Sequence, residues 1–257
     1  MKKRLIIALA ALVAFASLGH ANIISFKVGY YIPGLNSDFW SNELANMNFS
    51  KSNFQGASFA FDYEIFLSRE LSLVIGVDTY TKTRTAFYRD YVGIQFSDGD
   101  FAFPAKYYNG DYTPAHALSL SVTPIQFSLK VAPLGRRAKV IPYFGAGLAF
   151  YIWSVRMSGD LVDFSDPWTY TSGNYVDTIY PIYTVDAMDR NNGRITLGAQ
   201  GFAGVQIPIG NRLTVDFEGK YSYAKGKLGI DPNSGFTGFG PLDLGGVTLS
   251  LGLNYWF

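Results

Sequence analysis

Few side chains in this sequence could perform chemistry. There are two histidines, His20 and His116, and no cysteine. Without cysteine there is no thiol nucleophile, no disulfide, no thiolate metal site and no lipid-bearing cysteine. His116 precedes Ser119 and Ser121 in "HALSLS". A serine within hydrogen-bond reach of a histidine could act as a nucleophile with its base. On a strand, however, Ser119 falls on the face opposite His116, and no serine follows at the His-x-Ser offset. His116 therefore reads as a histidine at the rim of a fold, and no catalytic residue is expected.

A second group is electrostatic. Lys27, Asp62, Glu64, Asp78, Lys130, Asp216, Glu218 and Lys220 interrupt otherwise apolar alternating stretches. Sharing one interior, they could form a ring of charge that selects ions. They could equally pair and fill a narrow lumen as a plug or a very narrow passage, and this second reading is preferred. A third group is acidic: Asp98 and Asp100 in "SDGD", then Asp160, Asp163, Asp166, Asp177, Asp186 and Asp189. Oxygen clusters can hold calcium, but no spacing matches a twelve-residue calcium loop. Asp and Gly are ordinary turn formers, so neither metal nor cofactor is expected.

These groups must be positioned by strands. Eight stretches alternate with period two: Ile24 to Ile32, Phe59 to Leu67, Leu71 to about Lys82, Leu118 to Leu134, Ile141 to about Val155, Ile195 to Ile209, Leu213 to about Lys225, and Gly245 to Phe257. In the fourth stretch the apolar phase shifts across Pro124, from Leu118, Leu120 and Val122 to Ile125, Phe127, Leu129 and Val131. Proline is confined to edges and bulges, so a bulge is expected there.

The connections alternate in length. Ser68 to Glu70, Gly135 to Arg137 and Gly210 to Arg212 make tight turns; the other four connections are long. Short turns at one end and long loops at the other mark an outer-membrane barrel, with both termini on the periplasmic side. A lipocalin-like soluble barrel is the rival, but consecutive charges on the minority face suit a membrane barrel's lumen better. The expected fold is all-β: an eight-stranded antiparallel up-and-down transmembrane β-barrel. Ten strands is the alternative, if Thr178 to Asp186 joins an added hairpin.

Aromatics reach 17% while charged residues are only 16%, against roughly 25% charged in soluble domains. The loops hold Tyr88, Tyr91, Phe101, Phe103, Trp168, Tyr170, Tyr175, Tyr180 and Tyr183. That density predicts packed loops, strands continuing beyond the membrane, and an aromatic girdle. Gly145, Gly147, Gly198, Gly201 and Gly204 leave two neighbouring strands bare. They read as room for bulky neighbours such as Phe202 or as a site of curvature; the sharper alternative is a thin wall open to lipid.

The N-terminus reads as a leader over residues 1–21, ahead of a barrel at 22–257. Lys2, Lys3 and Arg4 precede an apolar run, Leu5 to Leu18, and Gly19-His20-Ala21 offers a cleavage site after Ala21. The run is short for a retained anchor helix. Removing it takes three of the 21 basic residues and none of the 20 acidic ones, leaving 18 against 20. Nothing in that balance suggests nucleic acid.

The strands resemble those of small outer-membrane barrels of the OmpW/OmpX type. Three stretches carry the resemblance: "PYFGAGLAFY" at Pro142 to Tyr151, "TPIQFSLKVAPL" at Thr123 to Leu134, and the closing strand with Leu249, Leu251, Leu253, Tyr255 and Phe257 in phase. The resemblance implies that this last set is a signal read by the outer-membrane assembly machinery. It implies a non-enzymatic protein of the Gram-negative-type outer membrane, surrounded by lipid and lipopolysaccharide. Such a protein supports membrane integrity or passes a small, largely apolar solute. A monomer is expected. The alternative is an adhesion or partner-binding barrel acting through its aromatic loops; a lipid A-modifying enzyme is a remote third.

Overall fold

A computed structural model describes residues 22–173, 175–191, 195–230 and 235–257. The leader over residues 1–21 lies outside the described residues. In chain order the strands are β1 (Asn22–Pro33), β2 (Gly56–Phe66), β3 (Leu71–Phe87), β4 (Tyr91–Phe96), β5 (Gly99–Pro104), β6 (Ala115–Val131), β7 (Ile141–Val162), β8 (Trp168–Ser172), β9 (Tyr175–Arg190), β10 (Thr196–Pro208), β11 (Leu213–Gly226), β12 (Leu242–Asp243) and β13 (Gly246–Trp256). One helix, α1 (Asp38–Asn46), and a 3-10 turn (Lys51–Phe54) lie between β1 and β2.

Eight of these strands close an antiparallel ring: β1, β2, β3, β6, β7, β10, β11, β13 and back to β1. At the seam Ile24 lies opposite Tyr255, Val28 opposite Leu251 and Ile32 opposite Val247. Closure leaves no open barrel edge, which lipid would not tolerate. The chain is therefore an eight-stranded up-and-down barrel. The stretch Thr178 to Asp186, which could have added two strands, lies in β9 and pairs with β7, β8 and β5 above the ring.

Side-chain polarity inverts along the same strands. In the lower part, outward residues are apolar: Phe127 and Leu129 on β6, Leu148 and Phe150 on β7, Leu251 and Leu253 on β13, all exposed. Their inward neighbours are polar and buried, among them Gln126, Ser128 and Lys130. Higher up, the outward positions become Thr79, Thr81, Thr83 and Thr85 on β3 and Ser119 and Ser121 on β6. The inward positions there become Leu118, Leu120, Val122, Trp153 and Val155, all buried. Apolar-out with polar-in suits lipid; polar-out with apolar-in suits water. The inversion thus marks the membrane surface near Thr123 on β6 and Ser154 on β7. The apolar belt on β7, Phe144 to Ile152, spans roughly 26 Å along the strand, the scale of an outer-membrane apolar band once tilt is allowed for.

This corrects the expected bulge at Pro124. Val77 lies opposite Ile125 and Tyr80 opposite Val122 at one unbroken offset, and Pro124 pairs in register with Tyr151. Even-numbered β6 residues face inward throughout. The apolar phase shifts because the surroundings change from lipid outside to a dry core inside; the backbone keeps its register.

Above the membrane the strands continue. β3 reaches Phe87 and β7 reaches Val162, further than their apolar alternation indicates. Ile141 to Tyr151 of β7 pairs with β10, while Ser154 to Val162 pairs with β9. β9 in turn pairs with β5 and β8, and β5 with β4. A sheet therefore rises out of the barrel wall. No described helix is long and apolar enough to cross a membrane; the strands cross it.

Candidate functional site

All eight charges read from the sequence lie on inward faces. From the short-turn end upward they form three layers. In the lowest, Glu64 accepts from Lys130 Nζ at 2.7 Å and Ser72 Oγ at 2.6 Å, with Arg136 at 3.5 Å. In the middle, Lys27 Nζ lies 2.9 Å from Asp62, 2.7 Å from Glu218 and 3.9 Å from Asp216. The Tyr143 hydroxyl sits 3.0 Å from both Asp216 Oδ2 and Glu218 Oε2. In the upper layer Lys220 pairs with Asp78 and lies 3.4 Å from Gln126 Oε1. Lys130 also lies over the Tyr143 ring, 4.1 Å from its centroid, a cation–π contact. Each lysine therefore meets a carboxylate, which a desolvated charge requires.

The remaining space is small. One cavity of about 20 Å³ lies among Lys27, Asp62, Glu218 and Lys220, and another of about 20 Å³ among Asp78, Gln126, Tyr151 and Gln200. Such a volume holds about one water. Among the described residues Asp78 Oδ1, Gln126 Nε2 and Gln200 Oε1 have no hydrogen-bond partner, and polar atoms of that kind are what an enclosed water satisfies.

Above the charges sits an aromatic cap. Tyr31 meets Tyr80 edge-on at 4.7 Å and donates to the carbonyls of Leu244 and Gly245 at 2.9 Å. The Tyr80 hydroxyl donates to the Phe54 carbonyl. α1 covers this layer because Phe39, Trp40 and Glu43 share its buried face, an i, i+1, i+4 arrangement that fits 3.6 residues per turn. Trp40 packs on Phe54 at 4.9 Å and Phe39 on Phe236 at 5.7 Å. The helix and its core were missed in the sequence, where Pro33 to Ser58 reads only as a long loop.

His116 lies in this cap, fully covered rather than at an open rim. Its Nε2 is 2.8 Å from Glu43 Oε2, its Nδ1 3.3 Å from the Asp160 carbonyl, and Phe49 and Tyr88 flank the ring. Ser119 faces outward and bonds Thr83, so the structure does not bring histidine and serine together.

Four of the loop acids are held by separate partners. Asp100 accepts from Tyr112 at 2.8 Å, Asp177 from Tyr108 at 2.6 Å and Asp166 from Trp168 at 3.0 Å; Asp186 pairs with Arg156 at 2.7 Å. Hydrogen bonding to Asp177 pushes the Tyr108 phenol up to about 12. Among the described residues no three acids or histidines converge as metal ligands.

The glycines make room for rings. A Cβ at Gly145 would overlap the Phe202 ring, one at Gly198 the Tyr151 ring, and one at Gly204 the Tyr143 ring. Gly147 lies against Ser128 and its backbone. Gly201 instead faces outward, where a Cβ would meet only the Gly145 carbonyl at 3.9 Å. Gly145, Gly198 and Gly204 thus accommodate the aromatic filling, and Gly147 the close approach of β6. The lumen tyrosines had a readable signal, because Tyr31 shares parity with Lys27 along β1, and Tyr143 and Tyr151 share parity along β7.

No protein-family model matches this chain, and no curated protein sequence does. Solved structures do. Neisserial surface protein A is 13% identical, covering 92% of this chain and 97% of its own, with a TM-score of 0.44. The attachment invasion locus protein Ail of Yersinia pestis is 12% identical, covering 93% and 99%, with a TM-score of 0.40. A major outer membrane protein of Thermus thermophilus is 14% identical, covering 93% and 100%, with a TM-score of 0.45. The barrel assignment rests on the pairing of this chain's own strands. Eight strands closed in a ring, with an apolar belt outside and polar side chains inside, make a transmembrane barrel.

Proposed function

We propose that this protein is a non-enzymatic outer-membrane barrel with a closed lumen that presents a rigid surface to partners outside the cell. One observation carries the reading: a paired lumen sealed by an aromatic cap supports a sheet continuous with the barrel wall. The cavities hold single waters, which favours closure over passage of an apolar solute. Above the cap the aromatic core of Phe103, Tyr108 and Tyr170 holds the sheet together, while Tyr107, Trp168, Tyr175 and Tyr183 stay exposed. Exposed aromatics at a rigid site suit an interface.

Three measurements test this. In planar bilayers the purified barrel should give no unit conductance, and a stable open channel overturns the closed lumen. Cells displaying the protein should adhere to animal-cell monolayers better than cells without it, and W168S/Y175S/Y183S should abolish the gain. Adhesion unaffected by the triple change overturns the platform. H116A should leave the lipid A mass spectrum unchanged; an altered spectrum would restore the enzyme reading.

Removal of the leader after Ala21 belongs to the same proposal, and N-terminal sequencing of the mature protein tests it. So does recognition of Leu249, Leu251, Leu253, Tyr255 and Phe257 by the assembly machinery, and a monomeric state in lipid and lipopolysaccharide.

A further inference from the structure

The three tight turns at the end opposite the cap share one pattern. The β2–β3 turn exposes Leu67 beside Arg69; the β6–β7 turn exposes Leu134 and Val140 beside Arg137 and Lys139; the β10–β11 turn exposes Ile209 beside Arg212. Leu67, Leu134 and Ile209 are 56%, 67% and 60% exposed, values that would be a liability in water. Each of these turns thus pairs an apolar tip with a cation.

The turns are joined by two clefts. One, of about 790 Å³, runs from Leu67, Arg69 and Glu70 to Arg136 and Arg137. The other, of about 500 Å³, runs from Arg136, Arg137 and Lys139 to Arg212. Trp256 lines both. Arg136 is structural: it donates to the Ser68 carbonyl at 2.8 Å, stacks 3.9 Å over Phe66 and reaches Glu64 inside the lumen. Arg212 touches the Tyr255 hydroxyl at 3.2 Å. Glu70 is the acidic side chain on these turns, against Arg69, Arg137, Lys139 and Arg212. The result is a basic rim directly below the apolar belt.

We propose that this rim binds the headgroups of anionic phospholipids in the periplasmic leaflet. The phosphodiesters sit against the arginines and Lys139, and the acyl chains run along the apolar tips and the belt above. Charge complementarity favours an anion. The apolar tips commit that anion to a lipid, because a soluble polyanion makes no use of exposed Leu67, Leu134 and Ile209. Long cationic side chains that lie over apolar surface and keep their charge at an interface do the same elsewhere, and interfacial Trp has the matching preference. The inference rests on the barrel spanning a membrane and is independent of what the opposite face binds.

The test uses the full chain folded into phosphatidylcholine vesicles, with or without phosphatidylglycerol, and follows heat unfolding by gel mobility. Phosphatidylglycerol should raise the unfolding temperature of the wild type by several degrees, and high salt should reduce the gain. The variant R69Q/R137Q/K139Q/R212Q should lose the gain, and the single exposed change R137Q should lose part of it. K225Q/K227Q, at the opposite end, should keep it. An equal gain in wild type and R137Q overturns the proposal while leaving the membrane barrel standing. So does an equal gain from soluble pyrophosphate in pure phosphatidylcholine, which would reassign the rim to free phosphates. Failure of the wild type to insert into either vesicle overturns the membrane barrel and the rim together.

Discussion

Lys27 is the residue on which the lumen depends most. It faces Asp62, Asp216 and Glu218 at once, in a space with little room for water. Lys27→Met would leave three carboxylates without their common cation. Removing one partner of a buried pair costs about 3–5 kcal/mol, so urea unfolding in detergent micelles should show a loss of that order. A wild-type midpoint would mean that water already solvates the layer. Asp38 makes a different prediction, in the cap. The Gly240 amide donates to it at 2.8 Å and Phe39 N–H at 3.0 Å. The Gly240 hydrogen bond, ahead of that from Phe39, holds the Asp38 carboxyl below its ordinary range. A depressed carboxylate contributes stability above its unfolded value and loses it as pH falls through the folded one. Acidification from the ordinary carboxylate range downward should therefore lower the protection of the Gly240 amide against hydrogen exchange, taken relative to its intrinsic rate at each pH. Asp38→Asn should remove the pH dependence.

At the scale of the element, the inversion along β6 sets where lipid ends. Phe127 lies in the belt and Ser121 above it, both on outward faces of the same strand. Arginine on the lipid face costs about 2–4 kcal/mol near the midplane and about 0–1 near the interface. Phe127→Arg should fall in the first range and Ser121→Arg in the second, read by reversible unfolding in vesicles. Equal costs would put the boundary elsewhere. The strands themselves were legible, since all eight barrel strands fall on alternating stretches. Their upper halves were not, because Thr81, Thr83 and Thr85 on one face and Tyr80, Lys82 and Arg84 on the other carry no apolar rhythm. Only the ladder to β6, down to Phe87 opposite Ala115, reveals them. α1 was illegible for another reason. At nine residues it is too short to show a periodic pattern above noise, and its stability comes from the barrel mouth it covers.

At the scale of the whole molecule, closure is the organising fact. Phe257 takes part through its backbone, with its amide 3.1 Å from the Asn22 carbonyl and its carbonyl 3.2 Å from the Asn22 amide. It takes part through its ring as well, stacked on Tyr63 and Tyr255. Two variants separate seam from signal. Phe257→Ala keeps the backbone pair and removes the ring, whereas deletion removes both. If the ring is an assembly signal, both variants should accumulate slowly in the outer membrane in pulse-chase experiments. Normal assembly of Phe257→Ala with slow assembly of the deletion would assign the role to the seam alone.

By itself, the sequence determined what strict alternation and loop length can encode: eight alternating stretches, which charges share one face of them, and which ends carry the long loops. That the ring closes with eight strands and not ten was decided by the pairing of β9 outside it. Period two is local, so composition along the chain suffices to read it. Only the tertiary structure decided which lysine meets which carboxylate, that the glycines of β7 and β10 house Phe202, Tyr151 and Tyr143, and that His116 is buried beneath α1 against Glu43. Those outcomes join residues far apart in the chain, Lys27 with Glu218 and Glu43 with His116. Their partners are set by register and by the width of an eight-stranded lumen. The phase shift at Pro124 shows the difference most clearly. One pattern in the sequence fits either a displaced backbone or a changed solvent, and the constant register of β3, β6 and β7 on both sides of Pro124 selects the second.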